Sequence, residues 1–453
     1  MKVVTDLQIH SKYARAVSPE MVVPKIWEWA KRKGIGLIAT GDWTHPLWMR
    51  EIKNNLEETG NGLLKLRKSP PAGSDGPLFL LETEVSCIYS QGGRLRRIHT
   101  MIWAPSIDTA DKINKKLLSL GANLMSDGRP IMGLTSLQIA DVVLSIDHKA
   151  LIVPAHIWTP WFSLYGSESG FDSIEECFGS FARYIYAVET GLSSNPQMNW
   201  RVKELDIRSI VSFSDAHSGP KLGREATVFE LSELSFDSIR QALMSPSKKQ
   251  TGEQSTDNRI IYTLEFYPEE GKYHYTGHRN CQVKQTPEET REKGTLCPVC
   301  GKKLTVGVMH RVDQLAGRSE EELKIEKVME NKGILASIYR SKTLPDRPPF
   351  IMLVPLAEII AEVTGGSPNN KGVQNEYFKL VDYFGSEFKV LTEVKIDDLT
   401  KISGEKIASA IGKVRSGDIF VDPGYDGVFG KVKIQSGEKT ETESAGKKQM
   451  SLF

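Results

Sequence analysis

Short apolar stretches of this chain stop abruptly on carboxylates and imidazoles. The run Ser209–Phe213 leads into Asp215-Ala216-His217. Upstream, Val3–Ile9 carries Asp6 and ends at His10, Ile35–Thr40 opens into Asp42, and Leu78–Leu81 leads to Glu84. Arg96–Ile98 runs into His99, Ala150–Ala155 into His156, and Ala182–Val188 into Glu189. One Asp-x-His triplet arises readily by chance; the repetition is what carries weight. Hard carboxylates mixed with imidazoles suit zinc, manganese or iron rather than calcium. So many donors exceed the needs of one ion and fit a two- or three-metal cluster bridged by a carboxylate, which activates water and clamps the oxygens of a phosphoester displacement. His45, His148 and His310 are read as structural or surface residues instead.

Strands must deliver these donors. A helix is expected over Pro19–Arg32, with Ser18 as N-cap and Gly34 as the stop, and further helices over Ile107–Leu120 and Leu137–Val143. Strands alternating with helices predict a parallel sheet, and donors gathered at strand C-termini predict a closed barrel of the TIM type for residues 1–250. Basic residues Lys12, Arg15, Arg201, Lys221 and Arg224 fall in the loops after donor-bearing strands, where they could hold phosphates. Aromatic residues crowd the same loops, among them Trp43 and Trp158, and stacking on an extruded base would account for them.

Residues 251–310 form a second unit. Tyr262–Tyr275 alternates like a hairpin and leads to His278-x-x-Cys281 and then Cys297-x-x-Cys300. That spacing predicts a zinc-ribbon-like module holding one structural zinc, with His274 competing with His278 as fourth ligand. Residues 311–434 are expected to be mainly helical, over Val312–Lys332, Leu353–Val363, Val373–Phe384 and Asp398–Ile411, closing with a turn and a strand. From Gln435 the chain is polar and low in complexity, a disordered linker by composition, yet it ends in Gln449-Met450-Ser451-Leu452-Phe453.

At 453 residues, two or three domains are the prior. The net charge of +1 offers no bulk attraction for nucleic acid, so any such binding must come from local patches. No signal peptide or spanning segment is expected, and five cysteines without a disulfide framework fit a reducing cytoplasm.

The segments DLQIH, TGD, ETEVS, RIH, PAH, ETG and SDAH, in this order, resemble the PHP (polymerase and histidinol phosphatase) superfamily. The longer strings DLQIHSKYARAVS, TGDWTHPLW, ETGLSSNPQMNWR and SDAHSGPKLGREA are similar to the endonuclease Q branch, and the likeness continues through PFIMLVPLAEIIAEV and PGYDGVFG. The resemblance implies a distorted (β/α)7 barrel and a divalent metal cluster (zinc, manganese, magnesium or iron). It implies cutting of DNA 5′ to deaminated bases or abasic sites, and a C-terminal region that helps to grip the DNA. It further implies that Glu84 bridges two ions, with Asp215 and His217 opposite His10 and Asp42. Gln8 stands where the wider superfamily has histidine; a neutral amide ligates poorly, so the number of ions stays open. The terminal QMSLF resembles the pentapeptide by which bacterial repair enzymes dock on the sliding clamp, through Gln449, Met450, Leu452 and Phe453. The alternative is a PHP phosphomonoesterase acting on a small metabolite, for which the cysteine module and the tail would be superfluous.

Overall fold

The computed structural model describes residues 1–67, 76–251, 257–329 and 333–434. The tail bearing Gln449, Met450, Leu452 and Phe453 lies outside them.

The chain is a mixed α/β structure built on a 13-stranded sheet. Lys2–Asp6 lies at its centre, parallel to Leu37–Ala39 and antiparallel to Ala226–Glu230. Leu37–Ala39 pairs in parallel with the long strand Leu78–Gln91. That strand turns back at Gly92-Gly93, both with positive φ, into Arg94–Ala104, which in turn pairs antiparallel with Leu151–Pro154. A two-residue loop can join only antiparallel strands. The expectation of a parallel sheet is therefore corrected here: no helix fits between the strands that carry Glu84 and His99, and both residues sit within strands rather than at their ends.

Ala187–Glu189 and Ser209–Val211 form a separate parallel pair. It touches its neighbours on both sides. Ile157 N–H donates to the Glu189 carbonyl at 3.1 Å, and Ser212 N–H donates to Thr227 Oγ1 at 2.9 Å.

Helix placement follows local signals. Val23–Lys33 ends on Gly34 in the left-handed region, as expected, but starts four residues later than Pro19. Pro24 in its first turn sets the start, while the Ser18 hydroxyl accepts from Glu20 N–H in a turn of its own. Ile107–Ser119 is capped by Ser106, and Ser136–Ile146 by a Thr135–Gln138 capping box.

Three expectations beyond residue 250 are corrected, two by strand pairing and one by a glycine break. Tyr262–Tyr275 is not a hairpin, because Arg259–Glu265 inserts between Ala226–Glu230 and Phe350–Met352 of the large sheet. The helix expected over Val312–Lys332 is confined to Val308–Leu315, and Ile325–Val328 pairs with Ile338–Ser341. Asp398–Ile411 is two helices, Ile396–Ser403 and Glu405–Ser416, broken at Gly404 with φ 82°. The boundaries at 251 and 311 thus coincide with no break in the sheet, and the helical part begins at Leu356.

The helices are tied back to the sheet region by buried charge. Lys33 Nζ lies 2.6 Å from Glu387 Oε2, both side chains being 4 % exposed. Tyr377 O–H also donates to Oε2 at 2.7 Å, and Leu356 N–H donates to Oε1 at 3.0 Å. Removing either charge would strand the other, a cost of about 3 to 5 kcal/mol.

Candidate metal centre

Two groups of donors face each other, and Glu84 touches both. In the first, Glu84 Oε1 lies 2.5 Å from His99 Nδ1 and 3.3 Å from His156 Nε2. The two ring nitrogens are themselves 3.2 Å apart. Glu84 and His99 meet because the hairpin register sets His99 opposite Ser86 and Glu84 opposite Met101, making them diagonal neighbours on one face. In the second group, His10, Asp215 and His217 converge. His10 Nε2 lies 3.1 Å from Glu84 Oε2 and 3.2 Å from Asp215 Oδ1. A bridge between Ile9 and Ala216, with His10 N–H donating to the Ala216 carbonyl at 3.1 Å, stitches these two segments together.

The donor set fits divalent metal. Burial alone would discharge His10, yet Asp42, Asp215 and Glu84 together hold its pKa well above the ordinary value. The field at that point favours positive charge. Burial would likewise raise Glu84, but His99 and Arg129, with hydrogen bonds from His10 and His156, hold it well below the usual carboxylate range. Burial lowers His99 to about 4, against the pull of Glu84. Asp215 Oδ1 accepts no well-formed hydrogen bond. Asp42, His156 and Asp215 all have positive φ (48°, 30° and 46°), strained backbone of the kind held at functional sites. Gly191 permits it at His156, since a Cβ there would collide with the histidine.

Asp42, Asp6 and Glu189 do not join either group. Asp42 accepts from His10 Nδ1 at 2.9 Å, from Ser11 N–H at 2.6 Å and from the Ser11 hydroxyl at 2.7 Å. It thereby turns Nε2 of His10 inward, the usual work of a carboxylate behind a ligating histidine. Asp6, raised by burial to about 6, accepts from Ser214 N–H at 3.0 Å and Gly223 N–H at 2.9 Å, bracing the loop that carries Asp215 and His217. Glu189 accepts from His156 N–H at 2.7 Å. The Gln8 carboxamide lies between Glu84 and Glu189; with its nitrogen toward Glu189 it donates at 2.8 and 2.5 Å. Gln8 thus serves a neighbouring carboxylate.

Sequence reasoning missed Arg129. Its Nη1 lies 3.4 Å from both Glu84 Oε2 and His10 Nε2. It follows no apolar run, so pattern could not find it; Gly128 beside it is required because a Cβ would strike the Asp42 carboxylate. Glu82 was missed too, fully buried with neither oxygen hydrogen-bonded and its pKa driven well up by burial.

The expected DNA contacts divide. Lys12 is partly exposed, 3.0 Å from Glu51, and Arg15 is exposed. Lys221 reaches Glu358 at 2.6 Å. Trp43 and Trp158 are corrected: both are fully buried, Trp158 donating to Asn199 at 2.8 Å, so neither ring can stack on a base. Arg201 is corrected as well, since it is 9 % exposed and committed to Asp313 at 2.7 Å. Arg224 donates to the Ser214 carbonyl at 2.8 Å and the Asp215 carbonyl at 3.2 Å, shaping the loop.

His278, Cys281, Cys297 and Cys300 bring one donor atom each within 4.8 Å of one another, a second candidate metal group. Between the competing histidines the choice falls on His278. His274 is buried against Tyr275 and lowered to about 4 by burial. Amide N–H groups of Cys300 and Val299, with His278, outweigh desolvation and hold the Cys297 thiol near 6, while burial and the neighbouring thiols push Cys281 up to about 11. Among the described residues no helix is long and apolar enough to cross a membrane.

Fold and site together define a mixed α/β chain with clustered carboxylate and imidazole donors and a separate cysteine group. The crystal structure of the lesion-specific endonuclease PfuEndoQ from Pyrococcus furiosus is similar over 97% of this chain and 98% of that one, with 31% identity and a TM-score of 0.78. A structure of endonuclease Q with a 27-mer duplex bearing an abasic lesion at its active site matches with the same identity and TM-score, over 97% and 99% of the two chains. Residues 355–418 match the MJ0043 C-terminal domain family. The uncharacterized protein MJ0043 of Methanocaldococcus jannaschii is 32% identical over 285 residues, which are 61% of this chain but 31% of that protein's length. This chain belongs to the endonuclease Q family.

Proposed function

We propose that this chain is a metal-dependent DNA repair endonuclease that hydrolyses the phosphodiester 5′ to a deaminated base (uracil, hypoxanthine or xanthine) or an abasic site. The observation that carries this reading is Glu84, whose two oxygens face two different donor groups. The strands around it are read as a distorted (β/α)7 PHP barrel, supported by the contacts of the Ala187–Glu189 and Ser209–Val211 pair with both neighbouring strands.

Divalent ions bound there supply Lewis-acid activation of water and neutralise charge on the phosphate. Glu84, His99, His156, His10, Asp215 and His217 would hold them. Asp42 and Glu189 orient ligands, and Asp6 braces the Asp215–His217 loop. Arg129 is placed to hold a phosphate oxygen beside Glu84. Lys12 and Arg15 are left to contact flanking backbone. The cysteine group is read as structural zinc, which would stabilise a module too small for a core of its own. The QMSLF tail is read as a tether to the DNA sliding clamp, raising local concentration without a catalytic contact.

A labelled duplex with one deoxyuracil, deoxyinosine or abasic site, incubated with magnesium or manganese, should be nicked just 5′ of the lesion. Asp215→Asn should abolish cutting while binding survives. Activity confined to p-nitrophenyl phosphate would overturn the nuclease reading in favour of a phosphomonoesterase.

A further inference from the structure

Near the C-terminus an aromatic ring is held out in solvent by a backbone with no freedom to fold it in. Strands Phe420–Asp422 and Lys431–Lys433 pair antiparallel. Between them Tyr425 and Val428 exchange hydrogen bonds of 3.0 and 2.8 Å around Asp426-Gly427, whose φ values of 40° and 85° suit a tight primed turn. The hairpin is fastened along its length: Gly424 N–H donates to Glu269 (2.8 Å), Gly427 N–H to Lys272 (2.9 Å) and Gly430 N–H to Glu270 (3.1 Å). The Asp426 carboxylate accepts from Arg279 N–H at 2.7 Å and from the Thr305 hydroxyl at 2.6 Å. Despite this anchoring, Phe429 is 66 % exposed.

Its surroundings are cationic. Lys272 Nζ stands 4.5 Å from the Phe429 ring centroid, and Lys431 and Lys433 are exposed alongside. The hairpin's own acids are engaged, Asp422 with Lys284 at 2.6 Å and Asp426 as above. The base of the hairpin rests on loops that follow donor-bearing strands. Tyr273 packs edge-on against Trp161 at 5.6 Å, the next residue, Phe162, lies 4.8 Å from His99, and Gly271 abuts the backbone of Leu192, just after Glu189. The ring therefore belongs to the same end of the molecule as the candidate metal centre.

We propose that this hairpin is a wedge for duplex DNA: Phe429 inserts against the base stack beside the lesion while Lys272, Lys431 and Lys433 meet phosphates. A ligand with stacked apolar faces inside and anionic charge outside matches a rigid aromatic ringed by lysines. Unstacking at that step would lower the cost of extruding the damaged nucleotide toward the metal centre. The inference rests on the nuclease reading.

The test compares wild type, Phe429→Ala and Phe429→Trp on two substrates: a duplex with an abasic site next to 2-aminopurine, and the same lesion in an unpaired bubble. Phe429 is exposed, so the alanine variant removes no core. Expected for Phe429→Ala is cutting of the duplex slowed roughly tenfold or more, with the rise in 2-aminopurine fluorescence on binding lost and the bubble cut at the wild-type rate. Phe429→Trp should restore both readouts. Duplex cutting equal to wild type, or equal slowing on both substrates, overturns the wedge while leaving the nuclease standing. If wild type cuts neither substrate, the nuclease reading falls and takes the wedge with it.

Discussion

The carboxylate–imidazole centre and the cysteine group both gather metal-type donors, but they draw them from the chain differently. The cysteine group takes all four from residues 278 to 300, bent round by short local turns. The other centre takes His10 and His217 from opposite ends of the first 217 residues and joins them through Glu84 on a hairpin between. A local group can form wherever its knuckles form, whereas a dispersed one exists only once distant strands have found their register. The dispersed centre is consequently surrounded by polar groups that hold its ligands in place, such as Asp42, Asp6 and Glu189. The cysteine group relies on backbone amides of its own loop.

This contrast can be broken in four places. The largest effect is expected at Glu84→Gln, which touches both donor groups: nicking should fall by roughly four orders of magnitude or more, while metal analysis still finds the ion of the cysteine group. Loss of that ion as well would mean that the two sites are not independent. Next, Cys297→Ser should release one ion per chain and raise hydrogen exchange in residues 276–305, with nicking of a short lesion duplex retained within about tenfold. Asp42→Asn should weaken metal binding at the dispersed centre by about ten- to a hundredfold, read as a shift in the manganese needed for half-maximal nicking. An unshifted requirement would leave Asp42 with no orienting role.

The smallest effect concerns the buried carboxyl of Glu265, to which the Ser212 hydroxyl donates at 2.5 Å. Burial raises it from an ordinary 4.5 to about 8. Its contribution to stability is fully present below pH 4.5 and is lost as pH rises through 8, because the unfolded chain ionises there first. Glu265→Gln should flatten the fall in urea midpoint across that window, and an unchanged slope would show that the group ionises freely in the native state.

Much of both sites could be read before any coordinates. Repeated apolar runs ending on acids and histidines pointed to His10, Glu84, His99, His156, Asp215 and His217, and these are the residues brought together. Asp6, Asp42 and Glu189, picked out by the same rule, lie beside these groups and accept hydrogen bonds from backbone amides, a difference that the sequence does not display. The rule overlooked Arg129, which follows no strand. The separate reading of loop aromatics as base-stacking groups fails at the buried Trp43 and Trp158, since an aromatic residue in a loop gives no sign of whether the loop folds inward.

The sequence by itself determined what depends on neighbours a few residues apart: the Gly34 helix stop and the Cys297–Cys300 knuckle. Only the tertiary structure decided which strands pair, and so which distant donors meet. Arg259–Glu265 entered the large sheet because its partner Phe350–Met352 lies far along the chain, and Ile325–Val328 became a strand by pairing with Ile338–Ser341. The histidine that completes the cysteine group was chosen in the same way, by which of two similar rings the fold buried elsewhere.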